Sequence, residues 1–139
     1  VRGMSNGDID FIAGLLPVVD AADTFIGAAE GDGLGMSVSA GGDINGDGAD
    51  DLLVGAPGFD TSADDDVGQV RVLVGPLPTD GSHLEVLGTV KGNIAGAEVG
   101  AAVLGGRDID GDGDDDVVIG APGFGGNGSV FLLMGGALN

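Results

Sequence analysis

The feature that most constrains this chain is that it repeats itself. Residues 43–59 read DINGDGADDLLVGAPGF and residues 108–124 read DIDGDGDDDVVIGAPGF, an offset of 65. The match extends upstream, where Leu34-Gly35-Met36-Ser37-Val38 aligns with Val99-Gly100-Ala101-Ala102-Val103. It also extends downstream, where Gly68–Gly75 aligns with Gly128–Gly135 at an offset of 60, so the first copy carries a longer acidic loop over 60–67. The N-terminus belongs to the pattern as well: Gly7–Pro17 matches Gly68–Pro78 at an offset of 61 in its Gly, apolar and Pro sites, and Phe25-Ile26-Gly27 corresponds to Val86-Leu87-Gly88. A unit repeated at this spacing folds as a supersecondary block that buries its apolar face against its neighbours, so the repeat decides the architecture before any single residue does.

Each complete unit reads as four short strands. Gly accounts for 31 of 139 residues, and Val, Leu and Ile occur in short runs, a balance that favours strands and tight turns over helices. Alternation over 69–74 puts Val70, Val72 and Val74 on one face and Arg71 on the other. Leu52-Leu53-Val54 and Val117-Val118-Ile119 are continuous apolar runs that suit strands buried on both faces. The expected strands lie near 34–42, 51–56, 68–75 and 84–91, with Gly-rich turns between them. A four-stranded unit of this length points to a propeller blade rather than a solenoid coil. The expectation is an all-β chain with a partial blade over 1–32 (its third and fourth strands), a complete blade over 33–97, and a second partial blade over 98–139.

Charge directs attention to the loops. The chain carries 23 acidic residues against 4 Lys plus Arg, a formal net charge of −19. Nucleic acid and anionic membrane are therefore poor partners and multivalent cations good ones. Ten of the 23 acids fall within 43–51 and 108–116, a density that repels itself unless a cation intervenes. No apolar run reaches membrane-spanning length, and there is no Cys from which to read a redox compartment. The chain opens at Val1 without a leader pattern, which leads us to expect a processed product or an excised fragment.

Within these windows the oxygen-bearing side chains are regularly spaced. Asp43, Asn45, Asp47 and Asp51 occupy positions 1, 3, 5 and 9 of the first loop, and Asp108, Asp110, Asp112 and Asp116 those of the second. A chain segment so spaced, with Gly48 or Gly113 at position 6, can wrap a hard cation that takes six to eight oxygen ligands. Position 7 would contribute its backbone carbonyl, which explains why its side chain is free to be Ala49 in one loop and Asp114 in the other. Gly46, Gly48, Gly111 and Gly113 supply the positive φ values that so tight a loop requires. Acidic surface turns are the plainer alternative, since Asp and Gly are common in turns; two copies at matching repeat positions weigh against it.

These donors favour calcium at two sites. Zinc is disfavoured because there is no Cys and the single His83 lies outside both loops, and magnesium suits an all-protein oxygen cage poorly. Helical calcium loops place an acid at position 12, whereas here that position is Val54 or Ile119 and Gly-Ala-Pro follows, so each loop should close at position 9 and run into a strand. With four carboxylates against three plus an amide, the second loop should bind more tightly.

The sequence of an apolar-Gly pair, a DxDxDG-type loop and Gly-Ala-Pro resembles the FG-GAP repeat of integrin alpha subunits. Gly-Ala-Pro is present as Gly55-Ala56-Pro57 and Gly120-Ala121-Pro122, while the Phe-Gly element is degenerate, as Leu34-Gly35 and Val99-Gly100. Another apolar side chain can fill the Phe site with some repacking. The resemblance implies blades that close into a seven-bladed propeller, with calcium in the loop joining the first two strands of a blade. Such a propeller needs about three times this length, so the outer blades are incomplete and expose strand edges. The edges imply a fragment of a longer polypeptide, a capped stub, or a homo-oligomer in which one copy lends a strand to the next.

The remaining signals are weaker. His83 reads as a solvated loop residue, because no Ser, Cys or acid forms a catalytic constellation with it. Phe59 and Phe124 fit packing at the blade top, and Met36 and Met134 fit core filling. Arg2-Gly3-Met4 is not an RGD signal. The functional expectation is a non-enzymatic extracellular or cell-surface module in which calcium is structural and other loops recognise a protein or glycan. The alternatives are a non-catalytic appendage of a secreted enzyme or lectin and a self-assembling unit.

Overall fold

The computed structural model describes residues 24–76, 78 and 84–138. The third strand expected for the first partial blade over 1–32, and His83, lie outside the described residues; residues 24–32, where the match of Phe25-Ile26-Gly27 to Val86-Leu87-Gly88 placed its fourth strand, are irregular chain and turn and not a strand. From Ser37 onward the chain forms two antiparallel sheets. The first contains β1 (Ser37–Gly42), β2 (Asp51–Ala56), β3 (Gln69–Leu73) and β4 (Val86–Lys91) in that spatial order. The second contains β5 (Ala102–Arg107), β6 (Asp116–Ala121) and β7 (Ser129–Leu133), also in sequence order. The chain is thus all-β and not closed into a ring, as incomplete propeller blades require.

Register shows how faithfully the repeat is built. In the first sheet Val38 faces Val54 and Gly55 faces Val70; in the second Val103 faces Ile119 and Gly120 faces Val130. Both first pairings carry an irregularity just before the acidic loop, between Ala40 and Gly42 and between Leu104 and Arg107. An extra residue at that point bends the strand and aims the following loop. The strands are a little shorter at some ends than the sequence suggests, β1 beginning at Ser37 rather than 34, because Leu34–Met36 form a turn in which the Gly35 N–H donates to the Gly55 carbonyl.

The two units share one core. Ile44, Leu53, Val70, Val72 and Ala97 of the first unit cluster with Val99, Val117, Ile119 and Ala121 of the second. Phe124 and Phe131 pack edge-to-face on this cluster, centroids 5.1 Å apart, and Phe59 lies beneath the Lys91 ammonium at 5.2 Å. Between the units the chain adds a parallel bridge from Gly68 to Val99, and the Ser37 hydroxyl donates to the Gly100 carbonyl at 2.6 Å. A Cβ at Gly55 would overlap that same carbonyl, so this glycine is what lets the second unit approach.

One sequence expectation is corrected by exposure. Met36 does not fill the core: it is 73 % exposed in the turn ahead of β1, and Val38, on the outer face of that strand, is exposed as well. The counterpart face of the second unit lies against the first, whereas nothing among the described residues covers this one. Val130 and Leu132 of β7 are exposed for the same reason, although their first-unit counterparts Val70 and Val72 are buried. The paired apolar runs behave nearly as expected, with Leu53, Val54, Val117 and Ile119 buried and Leu52 and Val118 half-buried.

Candidate metal site

Each acidic loop joins the first two strands of its sheet, β1 to β2 and β5 to β6. A strand, not a helix, begins at position 9 in both, with Asp51 opening β2 and Asp116 opening β6. The loop backbone turns through positive φ at Gly46 and Gly48 in one copy and at Gly111 and Gly113 in the other. An L-residue would be strained at all four positions, which accounts for the Gly spacing between the acids.

Position 1 organises the turn. Asp43 accepts the Asp47 N–H on Oδ1 and the Gly48 N–H on Oδ2, both at 2.9 Å. Asp108 repeats this with Asp112 at 3.1 Å and Gly113 at 3.0 Å, and adds the Gly111 N–H. Position 3 joins in, since Asn45 and Asp110 accept the N–H of position 5. Position 5 in turn accepts the N–H of position 7, Asp47 from Ala49 and Asp112 from Asp114. The acids therefore fold the backbone around themselves, each keeping further lone pairs for another partner.

Position 9 is different in kind. Asp51 is buried and accepts the N–H of Ile44 at the loop's start and of Gly75 beyond β3, each at 3.0 Å. Asp116, fully buried, accepts the corresponding N–H groups of Ile109 at 2.6 Å and Gly135 at 3.0 Å. The spacing predicts a ligand at position 9 but gives no hint that these residues anchor the third strand's exit. The hydrogen bond from Ile109, followed by that from Gly135, holds the Asp116 carboxyl below its ordinary value of 3.8. At Asp110 the largest single influence, the Asp112 N–H, lowers the pKa, but burial and repulsion from Asp112, Asp116 and Asp108 together outweigh it and raise the value.

In the second loop Asp108, Asp110 and Asp116 each turn one carboxylate oxygen to within 4.8 Å of the others. Two of the three are exposed and one is buried, so the cluster opens to solvent on one side. Asp112 and Asp114, also expected as ligands, lie outside this group of three. In the first loop Asn45 stands where Asp110 stands in the second, and its Nδ2 donates to Asp47 Oδ2 at 2.9 Å. Every donor available is a hard oxygen, and the clustered charge is what a divalent cation of the calcium type neutralises, so the residues fit such an ion.

Comparison with known proteins gives the same architecture a family. The profile of the FG-GAP repeat matches residues 34–73 and 99–133, more than half of the chain. The chain is similar to "Integrin alpha-5" of Xenopus laevis, with 37 % identity over 97 % of its length, and to "Integrin alpha-PS5" of Drosophila melanogaster, with 34 % identity over 85 %. It spans only 13 % and 11 % of those two proteins. With each matched segment covering three strands of one sheet and its acidic loop, the chain belongs to the FG-GAP repeat family.

Proposed function

We propose that each loop holds one calcium ion and that the ions are structural, fixing the blades of an integrin-alpha-like, non-enzymatic recognition module that works outside the cell or at its surface. The ligands would be the side chains of Asp43, Asn45, Asp47 and Asp51 with the Ala49 carbonyl, and those of Asp108, Asp110, Asp112 and Asp116 with the Asp114 carbonyl. The observation that carries the reading is the convergence of Asp108, Asp110 and Asp116 on one small space. The bound ion would cancel carboxylate repulsion, and the residues around it do the positioning: position 1 ties the turn, and position 9 links the loop to the far end of the third strand. Ion binding to the folded state alone raises stability by mass action. Millimolar calcium should therefore raise the melting temperature and EDTA lower it, and superimposable melting curves would reject the proposal.

The units we assign are 33–97 and 98–139, with 1–32 belonging to a preceding one. An open groove of about 550 Å³ lies on the second unit, lined by residues that include Ala101, Gly120, Pro122, Gly128 and Val130. The matching surface of the first unit, around Gly55, Gly68 and Val70, is filled by the Val99-Gly100 turn of the second. By this repetition the groove receives the apolar-Gly turn of a further repeat, in a longer propeller or in another copy of the chain. No helix among the described residues is long and apolar enough to cross a membrane.

A further inference from the structure

The two acidic loops are bonded to each other. The Asp43 N–H donates to Asp115 Oδ2 at 3.0 Å, and the Asp115 N–H donates to the Asp43 carbonyl at 3.2 Å. These residues are 72 positions apart and belong to different units. Asp43 is position 1 of the first loop, the residue whose carboxylate ties that loop's turn. Asp115 is position 8 of the second loop, between the residue that offers its carbonyl at position 7 and the buried position-9 carboxylate. The two-way bond therefore clamps the backbone of the first loop's leading ligand to the most firmly anchored part of the second loop.

The surroundings leave the clamp little freedom. Gly42 has no room for a side chain, because a Cβ there would overlap the Asp115 carboxylate and come within 2.7 Å of the Gly106 Cα. A Cβ at Gly105 would come within 2.7 Å of the Gly41 Cα, and the Gly105 N–H donates to the Ser39 hydroxyl at 3.2 Å. β1 and β5 thus meet backbone to backbone just ahead of the loops. Asp50, the first loop's own position 8, is exposed, and its carboxylate has no such partner among the described residues. The clamp runs from the second loop back to the unit before it.

We propose that Asp115 is a positioning residue for the first calcium site although it lies in the second loop, and that it couples the occupancy of the two. The inference rests on the calcium reading above. An ion in the second loop fixes Asp114 and Asp116, hence the Asp115 backbone, hence the orientation of Asp43. Thermodynamic reciprocity then requires an ion in the first loop to favour the second by the same factor. Outer residues that orient a ligand are worth about 10-fold or more in metal affinity.

Calcium titration of the 139-residue chain, followed by NMR at the Gly48 and Gly113 amides, reads the two sites separately. Asp115→Ala should weaken the site reported by Gly48 by about 10-fold while leaving the one reported by Gly113 within about threefold. Asp115→Asn retains an acceptor oxygen and should stay close to the parent protein. An unchanged Gly48 midpoint in Asp115→Ala, or weakening confined to the site reported by Gly113, overturns the proposal. A second measurement needs no metal: in EDTA the Asp43 amide should be protected from hydrogen exchange in the parent and in Asp115→Asn, and should lose that protection in Asp115→Ala. If neither loop responds to calcium, the calcium reading fails and with it the coupling of sites, while Asp43 exchange still decides the clamp; an unprotected Asp43 amide in the parent overturns the clamp itself.

Discussion

Asp51→Ala would leave the N–H groups of Ile44 and Gly75 without the acceptors now 3.0 Å away. Ile44 is fully buried and Gly75 half-buried, so water replaces the lost acceptor poorly at the first and better at the second. An unsatisfied buried donor costs about 1–3 kcal/mol; taking the upper part of that range for Ile44 and the lower for Gly75 gives a loss of about 3–4 kcal/mol. That is a large share of the about 5–15 kcal/mol typical of a folded domain. With a urea slope of about 1.5 kcal/mol/M the unfolding midpoint should fall by about 2–3 M. The assay is urea unfolding in EDTA, where no ion contributes to either protein. Asp47→Ala is the control, because Asp47 is exposed and among the described residues its carboxylate satisfies only the Ala49 N–H and the Asn45 amide; it should cost under about 1 kcal/mol in EDTA. If Asp51→Ala unfolds within about 1 kcal/mol of the parent, or Asp47→Ala falls as far, position 9 has no structural role beyond that of its neighbours.

Three further outcomes are expected. Calcium affinity should be higher at the second loop, so Asp112→Ala should remove the tighter site and Asp47→Ala the weaker, as calorimetry would show; equal or inverted affinities contradict the ligand count. The lowered pKa of Asp116 contributes stability that is present above its unfolded value and lost as pH falls through the folded one, below 3.8. Acid melting of the calcium-free protein should therefore be shallower in Asp116→Asn, Asp110 with its raised value acting in the opposite sense, and an identical slope would contradict the assignment. Gly55→Ala should cost about 1–3 kcal/mol by forcing the units apart, whereas Gly120→Ala, whose added Cβ would meet atoms no nearer than 3.4 Å, should be nearly neutral; equal thermal shifts would show that the groove on the second unit is not open.

Much of this was legible in the chain because the repeat is local and strict. The bounds of β2 follow from the apolar run after Asp51, and the loop φ values follow from Gly46, Gly48, Gly111 and Gly113. What escaped the sequence depends on contacts between distant segments. Nothing in the spacing connects Asp51 to Gly75, 24 residues on, or Asp43 to Asp115 in the next unit. Met36 misled for a related reason: a Met in an apolar strand reads as core, but its burial depends on whether a neighbouring unit covers that face. The aromatic pair Phe124 and Phe131 was only half visible, since Phe131 sits between Val130 and Leu132, which face outward.

Equilibrium dialysis against labelled calcium, with the bound ion counted per chain at saturation, addresses the central claim most directly. The parent should hold two ions, and Asp47→Ala or Asp110→Ala one. Retention of no ion at millimolar concentration, or a count that neither substitution alters, would mean that these loops are acidic turns and not metal sites.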